Sequence, residues 1–136
     1  MAFLLGRALL VSGAVDETEI RTAFAFETVV REGDPGEGLY LVRSGSLLAT
    51  IERGDERHIV GQLGPGDVFG ELALLRDGSH VAATVTAVRP SSTAFLPTHR
   101  VCELMSANPT VAQAIMSALD AHQRRIIQVL STVVAS

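Results

Sequence analysis

Absences set the first limits on this chain. A single cysteine, Cys102, stands among 136 residues. It excludes an intramolecular disulfide and any zinc site built from several cysteines. A lone thiol of this kind is expected as a small buried hydrophobe. Charged residues are scarce, at 19% against 47% hydrophobic, which excludes a disordered chain. No run of Lys or Arg exists and the net charge is −4, so the electrostatic footprint of a nucleic-acid binder is missing. No apolar stretch approaches the roughly 18 residues of a membrane span. Neither a nucleic acid nor a membrane is therefore expected as a partner. The first 15 residues are apolar, but their only basic residue, Arg7, splits the apolar run instead of preceding it. A short docking helix is expected there, not a signal peptide, and a cytoplasmic location.

Chemistry-bearing motifs are also missing. The histidines are His58, His80, His99 and His122, and no two have metal-ligand spacing. There is no G-x-S-x-G elbow and no Walker sequence. An H-x-H pair, common in cupin-type barrels, is absent, which argues against a cupin-like enzyme. No catalytic residue, metal or resident cofactor is expected. Asp16, Glu17 and Glu19 read as a solvated acidic surface, and Arg124-Arg125 as a polar helix face.

What is present is glycine, at short intervals from Gly33 to Gly78. Short apolar or alternating runs lie between these glycines. That pattern reads as many short strands joined by tight turns, a barrel or a sandwich. Phe24 to Val30 alternates as a half-buried strand would. Glu32-Gly-Asp-Pro-Gly-Glu-Gly38 is a turn, and Leu39 to Val42 a strand. Leu47–Glu52 and Arg57–Leu63 form a hairpin around Arg53-Gly-Asp-Glu56. Gly64-Pro-Gly-Asp67 turns again. Val81–Val88 and Thr93–Leu96 are β-rich.

The pattern changes after Pro97. Thr98 is positioned to cap a helix running to about Ala107. Asn108-Pro109 then supplies an N-cap and an N1 proline for a second helix reaching Val134, roughly 39 Å long at 1.5 Å per residue. Strands followed by helices define an α+β chain. The expected organisation is one domain over 1–136, with a helical segment to about residue 19, strands over 20–96 and helices over 98–134.

Four segments resemble, in order, the cyclic-nucleotide-binding family, the fold shared by the bacterial catabolite activator and the regulatory subunits of protein kinase A. Glu32-Gly-Asp-Pro-Gly-Glu-Gly-Leu-Tyr40 is similar to the family's E-G-D-x-G-x-x-x-Y turn. Leu41-Val-Arg-Ser-Gly45 is similar to the strand and glycine that follow. Leu63-Gly-Pro-Gly-Asp-Val-Phe-Gly-Glu71 is similar to the start of its phosphate-binding cassette, and Ala83-Thr-Val85 to the cassette exit. The resemblance implies a β-roll (double-stranded β-helix jelly roll) barrel closed by C-terminal helices, acting as a regulatory sensor domain and not an enzyme. It implies cAMP or cGMP as ligand. Glu71 then matches the ribose carboxylate, and Gly70, Leu72 and Ala73 the backbone around sugar and phosphate. Ala82 and Ala83 match the phosphate-side N–H donors, and Thr84 a position that faces the base in some members.

The chain departs from the family at one point. Its P-R-x-A-T-V exit reads His80-Val-Ala-Ala-Thr-Val85 here, so Val81 stands where an arginine would pair with the cyclic phosphate. A guanidinium contacts two phosphate oxygens at once, and valine offers no donor. Arg76 and His80 are the candidate substitutes. Weak cyclic-nucleotide binding is expected, the alternative being a degenerate, ligand-free interaction module. In transcription factors of this family a helix-turn-helix domain follows the long helix; the chain ends at Ser136, so a stand-alone bacterial sensor domain is expected.

The last helix carries a heptad pattern. Ala112, Ile115, Leu119, His122, Ile126, Val129 and Val133 recur at steps of three and four. Met116, Gln123, Ile127, Leu130 and Val134 widen the apolar face. A homodimer is expected along a seam of Ile115, Leu119, His122, Ile126, Val129 and Val133.

Overall fold

A computed structural model describes residues 19–70 and 80–135, without the side chains of Leu119, Gln123 and 132–135. Glu71, Leu72, Ala73 and Arg76, the N-terminal segment to residue 18 and the side chains of Leu119 and Val133 thus lie outside the described residues. Among the described residues, eight strands form two antiparallel four-stranded sheets. One sheet orders β1 (Glu19–Ala23), β8 (Ser91–Pro97), β3 (Gly38–Ser44) and β6 (Val68–Phe69). The other orders β2 (Thr28–Val30), β7 (Thr84–Ala87), β4 (Leu47–Arg53) and β5 (Glu56–Leu63). Two helices follow, α1 (Thr98–Ala107) and α2 (Pro109–Ala135). This is the jelly-roll barrel with C-terminal helices that the motifs imply.

The core has two parts. Tyr40, Val42, Leu47, Leu63, Phe69, Val85 and Phe95 fill the space between the sheets. Leu39, Leu41, Val68, Ala94 and Leu96 face the other way, and Val101, Val111, Ile115 and Ala118 of the helices cover them. Alternation along β3 therefore feeds both layers, which is why nearly the whole strand is buried.

Local chemistry sets the connections. Asn108 Oδ1 accepts from the N–H groups of Thr110 and Val111, at 3.0 and 3.3 Å. This is the N-cap expected ahead of Pro109. The expected cap of α1 is corrected: Pro97 occupies the cap position, with no side-chain cap bond, and Thr98 is already helical.

Three further expectations change. The single strand expected over Phe24–Val30 is a turn over 24–27 followed by β2 (Thr28–Val30). Phe26 takes a left-handed φ of 69°, and Phe24 and Phe26 are 80% and 82% exposed. The turn is held by Phe26 N–H on the Ala87 carbonyl, 2.7 Å, and by Phe24 N–H on Glu27 Oε1, 2.8 Å. Cys102 is exposed, because α1 points Val101 into the core and leaves its neighbour outside. Ile115, placed in an intermolecular seam, is fully buried inside its own domain, where α2 covers β3, β6 and β8. The part of α2 free of that packing begins further along the helix.

Candidate functional site

The turn Glu32–Gly38 touches both ends of the cassette. At the exit, Val81 N–H donates to the Asp34 carbonyl, 2.7 Å, and Gly33 N–H donates to the Val81 carbonyl, 2.9 Å. Glu32 N–H donates to Thr84 Oγ1, 2.9 Å. Glu32 itself is fixed on β4, its carboxylate accepting from Glu52 N–H at 3.0 Å and from Arg53 at 2.6 Å. At the start, Gly70 takes a φ of +94°, and a Cβ there would lie 2.5 Å from the Gly38 carbonyl oxygen. Only glycine meets both demands without a shift of backbone.

An aromatic row holds this start in place. Tyr40 pairs across the sheet with Phe69 on one side and Phe95 on the other. Its ring stacks on Phe69 at 4.7 Å with planes 2° apart, and meets Phe95 at 4.9 Å, tilted. Arg21 of β1 lays its guanidinium 3.9 Å above Phe95 and donates to the Tyr40 hydroxyl at 2.9 Å. Cation–π contact and hydrogen bond thereby link all four strands of that sheet.

A cleft opens between this braced segment and α2, with about 610 Å³ of empty space including solvent at its mouth. Its floor is apolar, made by Val30, Ala49, Val60, Leu63, Phe69 and Val85. Gly70, Val81, Ala82 and Ala83 form one wall, and His122, Arg125 and Ile126 of α2 the opposite one. Among the described residues, no backbone carbonyl accepts from the N–H of Ala82 or Ala83.

The structure thus gathers Gly70, Val81, Ala82 and Ala83 at one cleft. Val81 lines it with an apolar side chain and spends its own N–H on Asp34. Thr84 is not among the lining residues, and its hydroxyl oxygen is engaged by Glu32. His80 is exposed, bridges to Pro35 and is not among the residues that line the cleft. His122 and Ile126, expected along a dimer seam, line the cleft, and Val129 is half-buried. Arg125 belongs to the site and was expected only as part of a polar helix face. Its spacing from His122 and Ile126 was the available signal, since positions three and four apart share a helix face.

A family model described as a cyclic nucleotide-binding domain matches residues 21–108. The chain belongs to the cyclic-nucleotide-binding domain family. It is 46% identical, over 66 residues, to a cAMP-dependent protein kinase regulatory subunit from Dictyostelium discoideum, covering 46% of this chain and 20% of that protein. The catabolite activator protein of Thermus thermophilus superposes with a TM-score of 0.81 at 27% identity, over 96% of this chain and 62% of that one. The regulatory domain of Toxoplasma gondii protein kinase A, solved with cAMP, gives a TM-score of 0.60 at 38% identity, over 63% of this chain and 33% of that one. This chain therefore spans only part of each relative. Among the described residues, no helix is long and apolar enough to cross a membrane.

Burial raises the phenol of Tyr40 above its ordinary value of 10.0, and the Arg21 guanidinium opposes that rise only in part. The folded state then keeps a proton that the unfolded chain has lost. Its contribution to stability is complete below pH 10 and falls as pH rises through the folded value. Tyr40 is the only tyrosine, so phenolate absorbance reports it alone. The expected midpoint lies above that of the unfolded chain in denaturant, and a midpoint at or below it contradicts the burial account.

Proposed function

We propose that this domain is a regulatory sensor that takes a cyclic nucleotide, cAMP or cGMP, into the cleft beside α2 and binds it weakly. One observation carries the reading. The cleft joins the two cassette ends to the C-terminal helix, and its loop wall carries Ala82 and Ala83, whose N–H groups meet no backbone carbonyl among the described residues. Such donors suit a cyclic phosphate. An apolar floor suits the flat face of a base. Val81 removes the ionic partner on that wall. The loss of a charge-assisted bond of this type is worth about 1.5–3 kcal/mol, or about ten- to a hundredfold in affinity.

Function in this reading is a shift of helix pose. The first turns of α2 are fixed by Val111, Ile115 and Ala118 on the sheet. Beyond them the helix meets the cleft through His122, Arg125 and Ile126. A ligand that fits better with one pose of that outer half draws the population toward it. Calorimetry is expected to give dissociation constants for cAMP or cGMP in the high-micromolar to millimolar range. Val81→Arg is expected to tighten binding by about ten- to a hundredfold. No heat from either protein at millimolar nucleotide would leave the barrel as a ligand-free interaction module, the reading that the apolar lining at Val81 favours.

We further propose that two copies pair through the outer half of α2. Ile127 is 54% exposed there, beside half-buried Val129 and Leu130. Sedimentation velocity at rising concentration is expected to show a dimer that Ile127→Glu disperses. A wild-type monomer at high micromolar concentration rejects the pairing.

A further inference from the structure

We infer that Arg125, on the helix wall, is an anion-pairing group of the cleft, so that the charge of a bound cyclic phosphodiester is answered from α2 where position 81 offers none. This rests on the reading of the cleft as a cyclic-nucleotide site.

Three observations support it. First, the polar side chains among the described lining residues are His122 and Arg125, both from α2, and Arg125 is the permanent cation. Second, Arg125 is placed over the barrel. A Cβ added to Gly61 of β5 would lie 3.1 Å from its Nη1, 3.8 Å from Cζ and 3.9 Å from Cδ. The guanidinium therefore lies along β5, on a strip that glycine keeps low. Third, its charge is not spent. Among the described residues no carboxylate lies within ion-pair distance of Arg125, whereas its neighbour Arg124 pairs with Asp120 at 3.1 Å. Asp67 borders an adjoining recess together with Arg124 and Arg125, but its Oδ2 accepts from Gly64 N–H at 2.9 Å.

A guanidinium is planar and less strongly hydrated than an ammonium, and it presents paired donors to two oxygens of one oxyanion. From the helix wall it adds attraction that Val81 lacks. The location has a consequence for signalling. An arginine on the cassette would hold the phosphate within the barrel, leaving helix contacts to the rest of the ligand. An arginine on α2 makes the helix itself a partner of the charge. Occupancy then acts on the output element directly.

The test is a calorimetric titration of cAMP and cGMP into the full chain and four single variants. Arg125→Gln is expected to weaken binding by about tenfold, and Arg124→Gln to leave it unchanged. Gly61→Val, which keeps Arg125 but obstructs its seat, is expected to weaken binding too. Thermal unfolding of each variant separates a lost contact from a lost fold. Equal affinity of Arg125→Gln and wild type overturns the inference. If wild type shows no heat, Val81→Arg and its double variant with Arg125→Gln decide. Binding by both with equal affinity overturns the role of Arg125 and keeps the cleft. A double variant about tenfold weaker than Val81→Arg supports the role. No binding by any protein overturns the cleft reading and this inference together.

Discussion

The turn between β2 and β3 is the constraint on which the site depends. It grips the cassette exit through the paired backbone bonds of Gly33 and Asp34 with Val81. It meets the cassette start where Gly70 passes against the Gly38 carbonyl. Glu32 ties the same turn to β4, and Tyr40, at its far end, ties it to the Phe69–Phe95 row. The two ends of the cassette, Gly70 and Val81–Ala83, are thereby brought to one wall of one cleft. Most residues of the shared motifs serve this bracing.

That division explains how the chain keeps the family's fold while changing its chemistry. Val81 makes the same backbone bonds whatever its side chain, so replacing an arginine there costs the brace nothing. The side chain alone carries the charge. Fold and ligand affinity are therefore separable at this position, and an apolar residue is structurally permitted. The cleft that results has an apolar floor, a loop wall where the N–H groups of Ala82 and Ala83 meet no backbone carbonyl among the described residues, and its described charge on the helix. A ligand in the cleft would lie between the loop wall and α2.

Much of this architecture is legible in the sequence because glycine, proline and asparagine act locally. Asn108-Pro109 marks a helix start wherever it packs, and the hairpin at Arg53–Glu56 follows from its own turn residues. The misreadings share a cause, which is that local patterns do not state which surface they meet. Phe24 and Phe26 alternate with small neighbours as a strand would, yet Phe26 adopts a turn conformation fixed by Ala87, sixty-one residues later. Ile115 sits correctly in a heptad pattern, but its partner is the chain's own sheet. Arg125 is exposed, as a polar helix face would be, and its approach to Gly61 was not legible because it depends on how α2 crosses β5. Cys102 is an apolar-sized residue on the outward side of a short helix.

The brace is tested most directly at Gly70. A methyl group added there must coexist with a φ of +94° and an oxygen 2.5 Å away. Chemical denaturation of Gly70→Ala, followed by the near-ultraviolet signal of Tyr40, is the measurement. The account predicts a loss of about 1–3 kcal/mol together with a changed Tyr40 signal, since the strain falls beside the Tyr40–Phe69 stack. Wild-type stability with an unchanged Tyr40 signal would contradict it.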